Sequence, residues 1–406
     1  MKIECNKRNT PITNQRVTDP LTLLQDLIAI PSVNPMGNTF SGPQYLEHKL
    51  TEWLVDFFQR LGVSCEVQDV ADGRCNVIAR LDIGPAFPTI MLEAHQDTVP
   101  VDGMTIEPFA PLVKNGRVYG RGACDVKGGM AAMLSAFARI VREDTNANTN
   151  VIIYCTCDEE FTAKGARHLA QQWSCDQDTK SSQPDFCIVA EPTDLNVIVA
   201  HRGVVRWKIQ THGRACHSSR PQDGHSAIYD MAPIITALEK YADILQNHSE
   251  PHPLCGSPSL SIGKITGGTS VNIVPDLCEI EIDRRSIPGE CSTKLLEEME
   301  QFLRSETSVD FTFLPPWIDS PSLADDLNQD LADKLLNTIN SIVAQPRAKQ
   351  GAWYGTDAST FAAAGVPAVV FGPGSIAQAH TADEWIEIDQ LRLASEIYYQ
   401  FCTNPN

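Results

Sequence analysis

The chain has 406 residues, 42% hydrophobic and 20% charged, with 51 acidic against 32 basic side chains and a formal charge of −19. That length suits two domains of ordinary size, and the composition is that of a globular protein rather than a disordered or fibrous one. The negative surplus repels nucleic-acid backbones and anionic membrane surfaces, so neither is an expected partner.

The opening MKIECNKRNTPITNQRV lacks the apolar core of a signal peptide, and no apolar run approaches the ~20 residues that span a bilayer, so a cytoplasmic location is expected. Thirteen scattered cysteines read as buried small hydrophobes, including the pair Cys155 and Cys157, rather than as a disulfide framework. After a polar, unpatterned arm, DPLTLLQDLIAI reads as a helix with Asp19 as cap and Pro20 at its first position. GPQYLEHKLTEWLVDFFQRLG reads as a second helix that stops at Gly62. Short apolar runs then alternate with helical segments: CNVIARL, TIMLEAH, the helix KGGMAAMLSAFARIVRED, VIIYCTC, the helix KGARHLAQQW, and FCIVAEP. This alternation predicts an α/β fold, a mixed sheet with helices on its faces.

From residue 201 the rhythm changes to the strand VVRWKIQTHG, the helix HSAIYDMAPIITALEKYADIL, the strands SLSIGKITGG and LCEIEIDRRSI, the helix STKLLEEMEQFLRSE and the strand VDFTFLP. That order is βαββαβ, the split unit of a ferredoxin-like four-stranded sheet with two helices on one face. After Pro315 and Pro316 the α/β pattern resumes through the helix LADKLLNTINSIVA and the strand PAVVFG. The expected organisation is one α/β domain over residues 1–200 and 316–406, interrupted by an inserted α+β domain over residues 201–315.

The residues that carry chemistry fall at the ends of predicted strands. TIMLEAHQD delivers His95 and Asp97, VIIYCTCDEE delivers Glu159 and Glu160, and FCIVAEP delivers Glu191, where open α/β sheets form their ligand crevices. Asp125, in YGRGACDVKGG, precedes a helix, and His380, in GPGSIAQAHTADE, follows PAVVFG. Any one of these alone is an ordinary structural histidine or helix cap; their convergence argues for metal. Imidazoles and carboxylates without a thiolate suit Zn2+, Co2+ or Mn2+. Two ions fit the inventory better than one, because a carboxylate such as Asp125 can bridge ions about 3.5 to 4 Å apart. Asp97, two residues past His95 on the same side of an extended strand, is placed to hold the second ring nitrogen of that imidazole. Of the paired glutamates, one is expected to ligate. The other, Glu159, is expected to take the proton of the attacking water and hand it to the leaving amine.

In chain order, LEAHQDTVP, YGRGACDVKGGMAAM, CDEEF, VAEPT and GPGSIAQAHTADE, flanking a βαββαβ insertion, resemble the motifs of metallopeptidase family M20 over about residues 20–395. The resemblance implies an amide hydrolase that removes an N-acyl group from a small-molecule amino-acid derivative. It implies His95, Asp125, Glu160, Glu191 and His380 as ligands to two divalent ions, Zn2+ foremost, with Asp125 bridging, Asp97 in support and Glu159 as base. It also implies that the insertion is a lid that joins a homodimer. His217, in GRACHSSRP, matches the position that donates to the oxyanion of the neighbouring subunit's substrate. Asn272, in GGTSVNIVPD, and Arg285, in DRRSIPG, match residues that hold the substrate's oxygens and α-carboxylate. By chemistry alone these three are an ordinary loop histidine, a turn residue and a surface salt-bridge former.

Cys124 is a departure, standing beside Asp125 where the family often has alanine. The run GPGSIAQAHTADEW looks most like the acetylornithine deacetylase branch, which implies N-acetylornithine deacetylation in arginine biosynthesis as the first expectation. Succinyl-diaminopimelate and other N-acyl amino acids remain open, because the shape of an acyl pocket is not legible in one sequence. A non-catalytic metal-binding scaffold is the alternative of another class. A serine hydrolase is disfavoured by the lack of a G-x-S-x-G elbow, and a nucleotide-binding enzyme by the lack of a phosphate loop.

Overall fold

The computed structural model describes residues 16–71, 73–143, 147–175 and 183–404. The polar N-terminal arm lies almost wholly outside the described residues. The chain divides into two units: Met1–Val199 with Asp325–Gln350 and Thr356–Asn406, and Ala200–Ala324 with Gly351–Gly355. Among the described residues no helix is long and apolar enough to cross a membrane.

In the first unit, helix α1 (Pro20–Ile28) starts where Asp19 accepts a hydrogen bond from the Thr22 N–H at 3.1 Å, with Pro20 at the first helical position. Helix α2 (His48–Leu61) ends on Gly62, whose φ of 75° suits glycine. It begins later than its sequence suggests, because GPQYLE has another use. Val33 donates to the Gln44 carbonyl and accepts from the Leu46 N–H, and Leu46 turns to a φ of 65°. Strands β1 (Cys65–Ala71), β2 (Arg74–Leu81) and β3 (Thr89–His95) follow, then the short β4 (Leu112–Lys114) and β5 (Arg117–Tyr119). Helix α3 (Lys127–Arg142) is buried along most of its length, packed on α1. A side chain at Gly129 would bring its Cβ within 2.7 Å of the Ala190 methyl, so only glycine allows this approach to the sheet. Strand β6 (Asn150–Thr156), helix α4 (Lys164–Cys175) and strands β7 (Phe186–Val189) and β8 (Val197–His201) complete this stretch.

The second unit holds β9 (Gly203–His212), α5 (Ala227–His248), β10 (Ser259–Gly267), β11 (Leu277–Ser286), α6 (Ser292–Glu306), β12 (Thr312–Phe313) and β13 (Ile318–Ser320). The sheet order β10-β11-β9-β12 closes the βαββαβ unit, and β13 also pairs with β9. Strict alternation along β9 and β11 sends Trp207, Ile209, Ile280 and Ile282 to one face. There they meet Met231 and Leu238 of α5 and Met299 and Leu303 of α6. Strand β12 is only two residues long, since VDFTFLP runs into the Pro315–Pro316 pair, which cannot donate to a ladder.

The chain then adds α7 (Gln329–Ile342), β14 (Lys349–Ala352), α8 (Ala358–Ala363), β15 (Ala368–Val370), β16 (Trp385–Glu387) and α9 (Ile388–Thr403). The main sheet runs β1-β2-β6-β3-β7-β15-β8-β14. Its central strands β6, β3, β7 and β15 are parallel, flanked by antiparallel neighbours. Helices cover both faces of such a sheet, which is why VIIYCT and IMLEAH are apolar without alternation. The register sets His95 opposite Thr156, and Val189 opposite both Glu93 and Val370, so the parallel strands end together. That common edge positions the site.

Leu54 of α2 is fully buried in the core of this unit with Leu50 and Phe58. Leu54→Ala is expected to lower unfolding stability by about 2 to 5 kcal/mol, checked by urea denaturation, by loss of transfer energy plus the cavity left behind.

Candidate metal centre

Six side chains reach the shared edge of the parallel strands. His95 is the last residue of β3, Glu159 and Glu160 follow β6, Glu191 follows β7, His380 lies beyond β15, and Asp125 stands just before α3. All belong to the first unit. The Asp125 carboxylate lies between the imidazoles: its Oδ1 is 3.1 Å from His95 Nε2 and its Oδ2 is 3.3 Å from His380 Nε2. His95 Nε2 is also 3.7 Å from Glu191 Oε1, and His380 Nε2 is 3.2 Å from Glu160 Oε2. Donor atoms of His95, Asp125 and Glu160 lie within 4.8 Å of one another, and so do those of His95, Glu159 and Glu191. His95 is common to both groups.

The charge balance of this cluster is unfavourable on its own side chains. Burial lifts the Glu160 carboxyl to about 7 and those of Glu159 and Glu191 well above the usual range; the Asp125 charge adds to each. Burial opposes charge on His95, but its hydrogen bond to Asp125 and the surrounding carboxylates outweigh that and hold it high. His380 rises to about 11 through hydrogen bonds to Asp125 and Glu160. Burial would raise Asp125 too, yet the two imidazoles keep it well below the usual carboxylate range. The Oε1 atom of Glu160 is buried with no hydrogen-bond partner. A set of oxygen and imidazole nitrogen donors, short of positive charge and with an orphaned carboxylate oxygen, fits divalent cations.

Asp97 acts differently from the expectation drawn from its spacing. The second ring nitrogen of His95, Nδ1, meets the backbone carbonyl of Asp97 at 2.8 Å, while the carboxylate stands 3.9 Å away. The carboxylate is taken by the turn after β6: Oδ1 accepts the Glu159 N–H at 3.1 Å and Oδ2 the Glu160 N–H at 3.2 Å. The imidazole is therefore oriented by main chain, and the carboxylate instead fixes the paired glutamates.

Behind this turn is a network that the sequence did not single out. Arg74 donates to both carboxylate oxygens of Glu47, and to Asp158 Oδ1 at 2.6 Å. Asn34 Nδ2 donates to Asp97 at 2.8 Å and to Asp158 at 3.0 Å. Asp158 holds a φ of 65°, a conformation that Asp tolerates better than most residues. Glu384 is another omission; both of its oxygens receive N–H groups from the loop that carries Asp125. The sequence signal for Arg74 was a cation at the start of an apolar strand, and for Glu384 a charge beside Trp385 four residues past His380. Cys124 is fully buried, its thiol donating to the Ser375 carbonyl at 3.3 Å.

His217, Asn272 and Arg285 lie in the second unit. The first two are neighbours, since the Ser218 N–H donates to the Asn272 carbonyl and His217 bridges Ile273. Ser219 donates its N–H to His217 Nδ1 at 3.1 Å, so the neutral ring carries its proton on Nε2. Arg285 pairs with Asp283 at 2.7 Å, but Arg206 shares that carboxylate at 2.6 Å. Two guanidinium groups on one carboxylate leave a positive surplus.

Such a centre, at the carboxyl edge of a parallel sheet and rich in carboxylate and imidazole, is of the metallohydrolase kind. Residues 91–404 match peptidase family M20/M25/M40, and the chain belongs to that family. It is 32% identical over 401 residues to the acetylornithine deacetylase of Aliivibrio fischeri (strain MJ11), covering 93% of this chain and 97% of the relative. It is 31% identical over 394 residues to that of Proteus mirabilis (strain HI4320), covering 95% and 96%. The fold is shared with an M20 family metallo-carboxypeptidase from Sulfolobus solfataricus, at a TM-score of 0.77 and 18% identity over 95% of this chain and 99% of the other. A Bacillus subtilis protein described as a dinuclear metal-binding M20 peptidase superposes at 0.64 with 19% identity, over 96% and 98%.

Glu47, Asp97 and Asp158 are all fully buried around Arg74. Arg74→Met should therefore cost about 3 to 5 kcal/mol in chemical denaturation, because it leaves buried carboxylates without their nearest cation.

Proposed function

We propose that the protein hydrolyses the amide of an N-acyl amino acid with two divalent metal ions, and that N-acetylornithine is its substrate. The observation that carries the metal assignment is the Asp125 carboxylate set between His95 and His380, one oxygen toward each. His95 and Glu191 would hold one ion, His380 and Glu160 the other, with Asp125 shared; Zn2+ suits the donor set best, and Co2+ or Mn2+ also fit it. Bound there, such ions polarise a carbonyl and lower the pKa of water towards ~7.

The chain's own groups do the proton work. Glu159, held by the Asp97 carboxylate through its N–H, takes a proton from the water that attacks the acyl carbon. As the C–N bond breaks, the same proton passes to the departing amine nitrogen; the acyl group leaves with the water's oxygen, and its remaining acid proton goes on to the amine, so that carboxylate and ammonium are the products. His217 is read as donating its Nε2–H to the oxygen that becomes negative, and Asn272 as a second contact to substrate oxygen. The shared carboxylate of Asp283 leaves Arg285 charge to offer the α-carboxylate of the substrate. The choice of N-acetylornithine is supported by the acetylornithine deacetylases that match 84–95% of the chain at 31–33% identity. Other N-acyl amino acids, succinyl-diaminopimelate among them, are the competing substrates, and a screen of purified enzyme on N-acetyl, N-succinyl and dipeptide substrates separates them.

Two variants test the division of roles within the glutamate pair. Glu159→Gln is expected to keep about two ions per chain by elemental analysis while kcat falls by about 10²-fold or more with KM little changed. Glu160→Gln is expected to lose metal. The reverse pattern would exchange the two roles.

We also read the inserted unit as the dimer contact, with β10 an exposed edge strand that a second copy can cover. Mixing inactive His217→Ala with inactive Glu159→Gln under subunit exchange should then restore activity. Each mixed dimer holds one site with Glu159 intact and His217 arriving from its neighbour, giving up to about half of wild-type activity by counting sites. No recovery after demonstrated exchange would place His217 on its own chain's substrate or outside the reaction.

A further inference from the structure

Asp125 is delivered by a loop between β5 and α3, and that loop is held from outside by one side chain. Glu384 is fully buried. Its Oε1 accepts the N–H of Cys124 at 2.8 Å and of Asp125 at 2.9 Å. Its Oε2 accepts the N–H of Gly122 at 3.0 Å and an Nη1–H of Arg121 at 2.8 Å. The Gly120 N–H adds a bond to the Glu384 backbone carbonyl at 3.1 Å. Arg121 in turn donates to the carbonyls of Pro100 at 3.0 Å and Thr381 at 3.4 Å, the latter adjacent to His380.

The geometry points to Glu384 as the positioning residue of the centre: it fixes the Asp125 main chain to the segment that carries His380, and so sets the carboxylate between the two imidazoles. This rests on the reading of Asp125 as the shared ligand. A carboxylate offers about four acceptor sites, and four N–H donors fill them, so Glu384 has no free lone pair for a metal or a proton. It lies four residues past His380, and its hold is on the Asp125 amide itself, not on a remote part of the loop. A bridging ligand tolerates displacement poorly, because supporting residues must keep a working constellation within about 0.5 Å.

Glu384→Gln tests this with little change in shape. The amide nitrogen cannot accept, so it faces two N–H donors and the loop loses half its anchorage. Metal-free protein would be titrated with Zn2+ by calorimetry, beside Asp125→Asn and beside Leu54→Ala, a core variant matched for lost thermal stability. Glu384→Gln is expected to bind Zn2+ about 10- to 100-fold more weakly, the usual effect of removing a partner behind a ligand. Its activity should return only at correspondingly higher metal concentration, while Leu54→Ala keeps wild-type affinity. Glu384→Asp, which draws the carboxylate back by one methylene, carries the same expectation and supplies the readout if the amide variant does not fold. Unchanged affinity in the Glu384 variants, or an equal loss in Leu54→Ala, would overturn the positioning role. If Asp125→Asn itself bound Zn2+ normally, the shared-ligand reading would fail instead.

Discussion

Glu47, Asp97 and Asp158 are buried and share the guanidinium of Arg74, while Asp125, Glu160 and Glu191 have the imidazoles of His95 and His380 for neighbours. Two groups of carboxylates thus sit back to back, joined where Asp97 of the inner group accepts the N–H groups of Glu159 and Glu160. The inner group is satisfied by protein: a guanidinium, an asparagine amide and main-chain N–H groups use its lone pairs. The outer group is not, and it retains an orphaned oxygen on Glu160. Desolvated negative charge is expensive unless paired, so the division separates carboxylates that the protein itself satisfies from those whose arrangement fits added cations.

The parallel quartet of strands makes this arrangement possible. Strands that end in register bring a histidine, a glutamate pair and a further glutamate to one edge without any long-range loop. Asp125 and His380 come from loops, and each needs a tether: the Glu384 carboxylate holds the first, and the hydrogen bonds around Arg121 and Thr381 hold the segment of the second. Main-chain N–H groups do much of this holding, which fixes backbone and side chain together more tightly than side-chain contacts alone.

Much of this was legible in the sequence because it depends on local signals. Apolar runs without alternation announce strands buried on both faces, and the residues at their carboxyl ends were read directly. The alternating VVRWKIQ and LCEIEID, separated by amphipathic helices, announced the antiparallel unit. What escaped depends on partners distant in the chain. Arg74 reads as an ordinary strand residue until Glu47, 27 residues earlier, and Asp158, 84 later, close around it. The spacing of Asp97 to His95 was informative, yet period-two geometry cannot tell a carboxylate from its own carbonyl as the partner of a ring nitrogen. GPQYLE has acceptable helix formers and so reads as part of α2, yet its real commitment is to Val33, and the helix starts at His48. The final helix, α9, does show a helical period, with Leu391, Ala394, Ile397, Tyr398 and Phe401 on its buried face, whereas the strands β4, β5 and β16, at three residues each, are too short for a period to show.

Whether Asp125 is shared by two ions is tested by anomalous diffraction from crystals of the Zn2+-loaded protein, recorded on both sides of the zinc edge. Two peaks about 3.5 to 4 Å apart are expected, with one oxygen of Asp125 on each and with Glu159 bound to neither. A single peak, or two peaks of which Asp125 touches at most one, would contradict the sharing.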